Sequence, residues 1–402
     1  MTLHAKSICL MTALCMTAAF AQLTSTPAQA QTQTQTQTAE AAASTPVAFV
    51  YVSSNSKGSS TNEINGFAAA ANGKLTPVSG SPFRDDVTSM ASNGKYLYAS
   101  TRSGIYVAAF AIEANGALRW SASTDIVKFN QDDCGSSGPL FLDHTGASLY
   151  DLEVDGNACA NNSYQSFATN TSTGLLRNIG SGASDEWFSL PAIFIGNNTY
   201  AYTAVCLYDM YWEITGFKRS SSGLLSQINN ATTPAPKTGD FFCPSQTAAD
   251  PTNHVAITMQ PVDQNSFSPD GPAQLATYTA GSSGNLSTTS TVGNMPAASV
   301  GTVTGIGMAP SGKLLAVAGT AGLQVFHFNG ASPITHDTGL LTKDQVDQVF
   351  WDNDNHLYAI SQSAGKLFVF TVTPTSANQA AGSPYTISNP LDLAVQPRTP
   401  RP

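Results

Sequence analysis

The chain has 402 residues, 42% of them hydrophobic and 11% charged, with 17 basic against 26 acidic side chains and a formal charge of −9. That balance excludes a polyelectrolyte-like disordered chain, and it argues against nucleic acid or an anionic membrane surface as a partner. The length suits one large all-β domain.

Residues 1–30 read as an export signal. The apolar stretch from Ile8 to Ala21 is too short to span a bilayer, and Ala28-Gln29-Ala30 fits a small-x-small cleavage site. Leu14 precedes Cys15 where a lipidation site expects a small residue, so no lipid anchor is expected there. Residues 31–46 alternate Gln and Thr and then turn Ala-rich, a composition that buries nothing and reads as a disordered spacer. No second long apolar run follows, so no membrane span is expected. The mature protein is expected in the periplasm or outside the cell.

From Val47 onward one unit recurs. Val47 to Val52 is a strand, and Ile64 to Phe67 ends the next one. The turn Ala71-Asn72-Gly73-Lys74 leads into Leu75-Thr76-Pro77-Val78. The second copy is the clearest: Val87 to Ala91, a turn on Asn93-Gly94, Tyr96-Leu97-Tyr98-Ala99, Gly104 to Ile112, a turn on Asn115-Gly116, and a strand from Ala117. Asn-Gly between alternating apolar runs is a strong hairpin signal, because both residues tolerate positive φ. Later copies centre on the turns Asp143-His144-Thr145-Gly146, Gly196-Asn197-Asn198, Asp250-Pro251-Thr252-Asn253, Pro310-Ser311-Gly312-Lys313 and Asp352-Asn353-Asp354-Asn355. Seven copies at a spacing of roughly 40–60 residues predict an all-β, seven-bladed β-propeller of four-stranded antiparallel blades over 47–397, with a short tail at 398–402. The first copy lacks a leading strand, and Pro390 to Pro397 matches one. The C-terminal strand is therefore expected to complete the first blade and close the ring, which removes exposed sheet edges. Two stacked sandwiches would leave these terminal half-repeats unexplained.

Tyr-Val and Leu-Tyr strand starts, Gly-Lys-Leu turn exits and the run Leu75-Thr76-Pro77-Val78-Ser79-Gly80-Ser81-Pro82-Phe83 resemble the lactonase-type seven-bladed propellers, the 6-phosphogluconolactonase-like and YVTN-repeat proteins. The resemblance spans nearly all of the mature chain and implies the fold more strongly than the activity. It also implies a His just after a Pro at the start of an inner strand. Here Pro139 is followed by Leu140 and Pro191 by Ala192. His144, His254 and His356 fall in the tight turns at the far end, His327 in a third strand, and His336 beyond it.

Chain direction sorts the connections by face. The tight turns share one face, and the long segments Lys128 to Pro139, Asp151 to Tyr164, Ala231 to Ser245 and Gln260 to Pro272 share the other. Long loops on a rigid scaffold are where function concentrates. Acids precede the expected inner strands: Asp85 and Asp86, Asp132 and Asp133, Asp185 and Glu186, Asp240, and Asp344 with Asp347. Asp suits turns and solvated loops, but in a chain so poor in charge these acids also form a candidate mouth. The candidate ligand-binding residues are Asp86, Arg102, Asp133, Asp185, Glu186 and Asp240, with Asp86, Asp133 and Asp240 as a cation set for Ca2+. Arg84 and Arg102 would meet an anionic sugar or neutralise the acids beside them. Trp187, Tyr208, Tyr211 and Phe241 would stack on a sugar, whereas Trp212 is expected between blades. No phosphate loop, zinc spacing or nucleophile elbow occurs, and no cofactor is expected.

The reading favoured by the sequence is a monomeric exported propeller that binds a small molecule, sugar or protein on its acidic face without catalysis. The alternatives are a lactonase-like hydrolase of a sugar lactone using carboxylates of that face, and a structural surface protein. Cys9 and Cys15 leave with the leader, and Cys134, Cys159, Cys206 and Cys243 remain. Four cysteines allow three pairings. The propeller arrangement selects Cys134–Cys159 and Cys206–Cys243, each joining neighbouring loops of the long-looped face.

Overall fold

The computed structural model describes residues 45–55, 59–126, 135–155, 162–185, 188–207 and 211–397. The leader, spacer residues 31–44 and the tail lie outside them. Every residue of the strand Ala48–Ser54 is buried. A strand with no solvent face needs partners on both edges and packing on both faces. It has Glu63–Ala69 on one edge and Pro390–Pro397 on the other, both antiparallel. Leu314–Gly319 and His356–Ser361 are equally buried. The outer strand Ser332–His336 is mostly exposed, and Leu225–Ala231 is exposed or half-buried at all but its first residue.

The described residues are all-β, without a helix. Four sheets have four strands. The first runs Pro390–Pro397, Ala48–Ser54, Glu63–Ala69, Leu75–Pro77, and the second Val87–Ser92, Tyr96–Thr101, Tyr106–Ile112, Leu118–Asp125. Two more begin with Asp240–Ala249 and Val303–Met308, and a five-stranded sheet begins with Gln348–Trp351. The sixth has eight strands. Its halves, begun by Gly135–Leu142 and Ile193–Phe194, are each antiparallel and join through one parallel pairing, Gly182 with Ser226. Separate four-stranded units were expected here. A Cβ on Gly182 would lie 2.7 Å from the Leu225 carbonyl oxygen, so the missing side chain lets the two halves meet. Leading strands of successive sheets lie against one another: Pro390–Pro397 against Val87–Ser92, Val87–Ser92 against Gly135–Leu142, and Gln348–Trp351 against Pro390–Pro397.

Neighbouring sheets pack face to face. Phe49 and Tyr51 of the first share a core with Leu97, Ala99, Ala108 and Phe110 of the second. Three tyrosines hook one sheet, or one half of the eight-stranded sheet, to the next. Tyr51 donates to the Gly116 carbonyl at 2.8 Å, Tyr150 to Gly223 at 2.8 Å and Tyr202 to Gly284 at 2.7 Å. Each acceptor glycine sits in a turn at positive φ. A Cβ on Gly116 would meet the Phe49 ring at 2.4 Å, so that turn needs glycine for space as well as for conformation. The phenol also finds a partner where an unpaired buried hydroxyl would be costly.

The segments read as long irregular loops are in large part extended ladders. Asp240–Ala249 and His254–Asp263 pair as far as Asp240 with Asp263. Gly135–Leu142 and Ser148–Asp155 pair as far as Gly135 with Asp155. Gly, Ser, Asn and Pro made these stretches look like loops, but pairing with an ordered neighbouring strand overrides weak local propensity.

Candidate functional site

The tight-turn ends of the sheets are closed by hydrogen bonds within each turn and to the turn beside it. Asp352 Oδ1 accepts from the His356 N–H at 2.8 Å, and Oδ2 accepts from the Tyr358 hydroxyl at 2.8 Å and lies 2.7 Å from His356 Nδ1. Burial disfavours the charged form of His356, but the hydrogen bond and charge of Asp352 outweigh it and raise its pKa. Asp250 holds His254 in the same way, with 2.9 Å to Nδ1. His144 Nε2 lies 3.1 Å from the Phe194 carbonyl. These histidines fix turns, as their place in the sequence suggests.

The opposite end differs. In Gly135–Leu142 a register shift between Ser137 and Leu140 takes Gly138 and Pro139 out of the ladder. Pro139 has no N–H to offer there, and Gly138 turns its own toward a carboxylate. Asp151 Oδ1 accepts from the Ser137 hydroxyl at 2.9 Å and from the Gly138 N–H at 3.1 Å. Ser137 Oγ also lies 2.7 Å from Ser100 Oγ. Asp151 is buried, and desolvation pushes its pKa up to about 7 against these hydrogen bonds. Glu153, half-buried beside it, is raised by burial as well and accepts from Ser163 at 2.9 Å. Ser137 is half-buried.

Two expected residues join this cluster. The Ser137 N–H donates to the Gly104 carbonyl at 3.0 Å, which places the turn carrying Arg102 against the Ser137 strand. The Arg102 N–H donates to the Asp86 carbonyl at 2.8 Å, and its Nη1 donates to the Ser60 carbonyl at 2.7 Å. Asp86 Oδ1 accepts from the Asn62 N–H at 2.9 Å. Asp85 is raised, burial first. Arg102 and Asp86 thus meet through backbone, with no ion pair between their side chains among the described residues.

The other candidates fall elsewhere. Asp240 belongs to a different sheet, begun by its own strand. Asp185 ends Leu176–Asp185, opposite Asn162. Asp133 and Glu186 lie outside the described residues, as do Trp187 and Tyr208. Among the described residues no group of three or more His, Cys, Asp or Glu is placed to hold a metal. Phe241 is buried, so it is not a free stacking surface; Trp212 stacks on it at 4.4 Å and is itself 44% exposed. Exposure of that second face was not expected of a residue read as lying between blades.

Cys206 and Cys243 are joined, with Cα atoms 5.3 Å apart. Cys243 lies within Asp240–Ala249 rather than in a loop before it. The pairing expected between Cys134 and Cys159 lies outside the described residues.

Asp151 escaped the sequence reading, and so did Asp392. Asp392 sits on Pro390–Pro397 and bridges three sheets. Its Oδ2 accepts from the Met90 N–H at 2.5 Å and its Oδ1 from Gln348 Nε2 at 2.6 Å. Desolvation raises it to about 7 against these bonds. Both oxygens are engaged, so it locks leading strands together. Both described bonds of Asp151 fall on one oxygen. An Asp inside an otherwise largely apolar strand was the available signal for Asp392; the strand of Asp151 also carries Glu153 and Asp155 and gives no such signal.

No family model and no curated protein matches the sequence. Solved structures do match. A presumed 6-phosphogluconolactonase from Bacteroides uniformis aligns over 87% of this chain and 99% of its own at 13% identity and a TM-score of 0.64. Another from Bacteroides fragilis aligns over 88% and 99% at 12% identity and 0.62. A protein from Lactobacillus plantarum aligns over 87% and 99% at 14% identity and 0.60. Identities this low establish the fold: a lactonase-like, β-propeller-type architecture. None of the described residues forms a helix long and apolar enough to cross a membrane.

Proposed function

We propose that the chain is an exported seven-bladed propeller that hydrolyses a sugar lactone, with Asp151 as general base. The blades are the sheets above with the eight-stranded sheet counted as two, and Pro390–Pro397 closes the ring. The observation that carries the activity is a buried carboxyl with a pKa near 7, hydrogen-bonded to a half-buried serine on a leading strand. A base poised near the working pH is what ester hydrolysis requires. The fold shared with presumed 6-phosphogluconolactonases favours hydrolysis over the binding-only reading, and a carboxylate takes the place of the histidine that the sequence does not supply.

In the proposed reaction the oxygen of a water adds to the lactone carbonyl carbon as its proton passes through the Ser137 hydroxyl to ionised Asp151. The ring C–O bond then breaks, and the leaving oxygen takes the proton back. The product is the open-chain hydroxy acid, and Arg102, exposed at the rim, pairs with its carboxylate or with a phosphate on the sugar.

The test is hydrolysis of six-carbon sugar lactones, with and without a phosphate, by the mature protein. Asp151→Asn is expected to lower kcat by about 100-fold, the usual worth of a general base. Activity should rise with pH through about 7 as Asp151 ionises. Hydrolysis no faster than in buffer, or full activity in Asp151→Asn, would discard the proposal and return the binding-only reading.

A further inference from the structure

Beside Asp240 lies a cavity of about 110 Å3 that shares no residue with the Asp151 cluster. Its lining includes Lys237, Asp240 and Asp270, with Phe242 and Val292 as apolar wall. Asp240 is only 7% exposed. Among the described residues its carboxylate has no hydrogen-bond or ion-pair partner. Buried acceptors are normally satisfied, and an unpaired buried carboxylate is the most costly kind to leave alone. An unpartnered carboxylate lining one small cavity therefore points to an occupant that donates hydrogen bonds.

The wall chemistry narrows that occupant. Three of the lining residues are prolines, which carry no N–H. The Asp240 N–H is already spent on the Lys237 carbonyl at 3.1 Å. Asp270, exposed at the mouth, adds a second carboxylate. Lys237 is exposed and forms no ion pair with either acid among the described residues. The site thus presents two carboxylates, with Phe242 and Val292 as apolar wall. An anion is repelled. A neutral alcohol brings one donor and no charge. A primary ammonium brings three donors and the complementary charge, and its short alkyl stem suits the apolar wall and the aromatic ring. A cavity this small takes the head of such a molecule and little more.

We propose that this cavity is a binding site for the ammonium head of a small primary amine. The probe is n-propylammonium chloride, with n-propanol and tetramethylammonium chloride as controls at matched ionic strength. Calorimetry and thermal unfolding of the mature protein provide the readout. Propylammonium is expected to bind saturably and raise the Tm, because a ligand of the native state stabilises it; neither control should do so. Asp240→Asn should weaken binding by about tenfold or more, the loss of a charge-assisted hydrogen bond. Should that variant fail to fold, Asp270→Asn, at the exposed mouth, should weaken binding by a smaller factor with an unchanged far-UV spectrum. Equal responses to propylammonium and tetramethylammonium would overturn the proposal, as would undiminished binding in both variants. Binding here does not depend on lactone hydrolysis, so the two tests fail independently.

Discussion

The two ends of the same strands solve one problem differently. At three of the tight turns the oxygens of a buried Asp are taken up by the turn itself or by the sheet half beside it. Asp143 accepts from the Ser148 N–H at 3.1 Å and pairs with Arg219 at 2.8 Å, and Asp352 and Asp250 hold the histidines a few residues on. At the opposite ends the buried acids depend on other segments or on nothing. Asp151 relies on a bulge in the adjacent strand, Asp392 on two other sheets, and Asp240 has no described partner. Polar groups satisfied locally make rigid corners. Groups left with spare hydrogen-bonding capacity can bind and react.

The largest expected effect removes what both ends rest on. Deleting residues 390–397 strips the partner from one edge of fully buried Ala48–Ser54 and removes Asp392 from between the sheets. The protein should aggregate or lose cooperative unfolding. A monomeric truncation product with an unchanged Tm would break the closure argument and the comparison with it.

Next comes the disulfide, which lies at the open end. It spans 37 residues, and the Cys206→Ser, Cys243→Ser double variant should lose about 3–4 kcal/mol in denaturant unfolding. If the loss is confined to stability at saturating lactone, the bond is a brace for that end. If hydrolysis falls in step, the brace also positions the site.

His356→Ala tests the closed end. It leaves Asp352 Oδ2 without one buried partner and should cost about 1–3 kcal/mol while leaving hydrolysis and propylammonium binding unchanged. A specific loss of activity without loss of stability would place function at the turns and reverse the comparison.

The finest distinction is in pH. Folded pKa values near 7 for Asp151 and Asp392 lie above those of the unfolded chain, so the native state binds these protons more tightly. Stability is then greatest at low pH as far as these two groups are concerned, and declines from about pH 4 to about 7 as the unfolded state gains by ionising them. Asp392→Asn should flatten that decline in Tm. An identical slope in wild type and variant would show that Asp392 is not the proton-linked group.

The sequence alone determined the repeat. Asn-Gly, Ser-Gly and Asp-x-x-Gly turns are dictated by local backbone preference, and alternating apolar residues fix strand register, so both are legible one residue at a time. The missing first strand and its match at Pro390 to Pro397 were legible for the same reason, as was the Cys206–Cys243 pair once the order of strands was known. Tertiary structure decided the rest. A carboxyl gains a raised pKa only when distant segments desolvate it; Asp392 has only its place in a largely apolar strand to mark it, and Asp151, beside Glu153 and Asp155, has no local mark. Loop-like composition hid the ladder that carries Asp240, because strand pairing is set by the neighbour as much as by the residues themselves. Asp240 could be named from the sequence as an acid before a strand, but its lack of a partner beside a small cavity is a property of packing, which no single segment encodes.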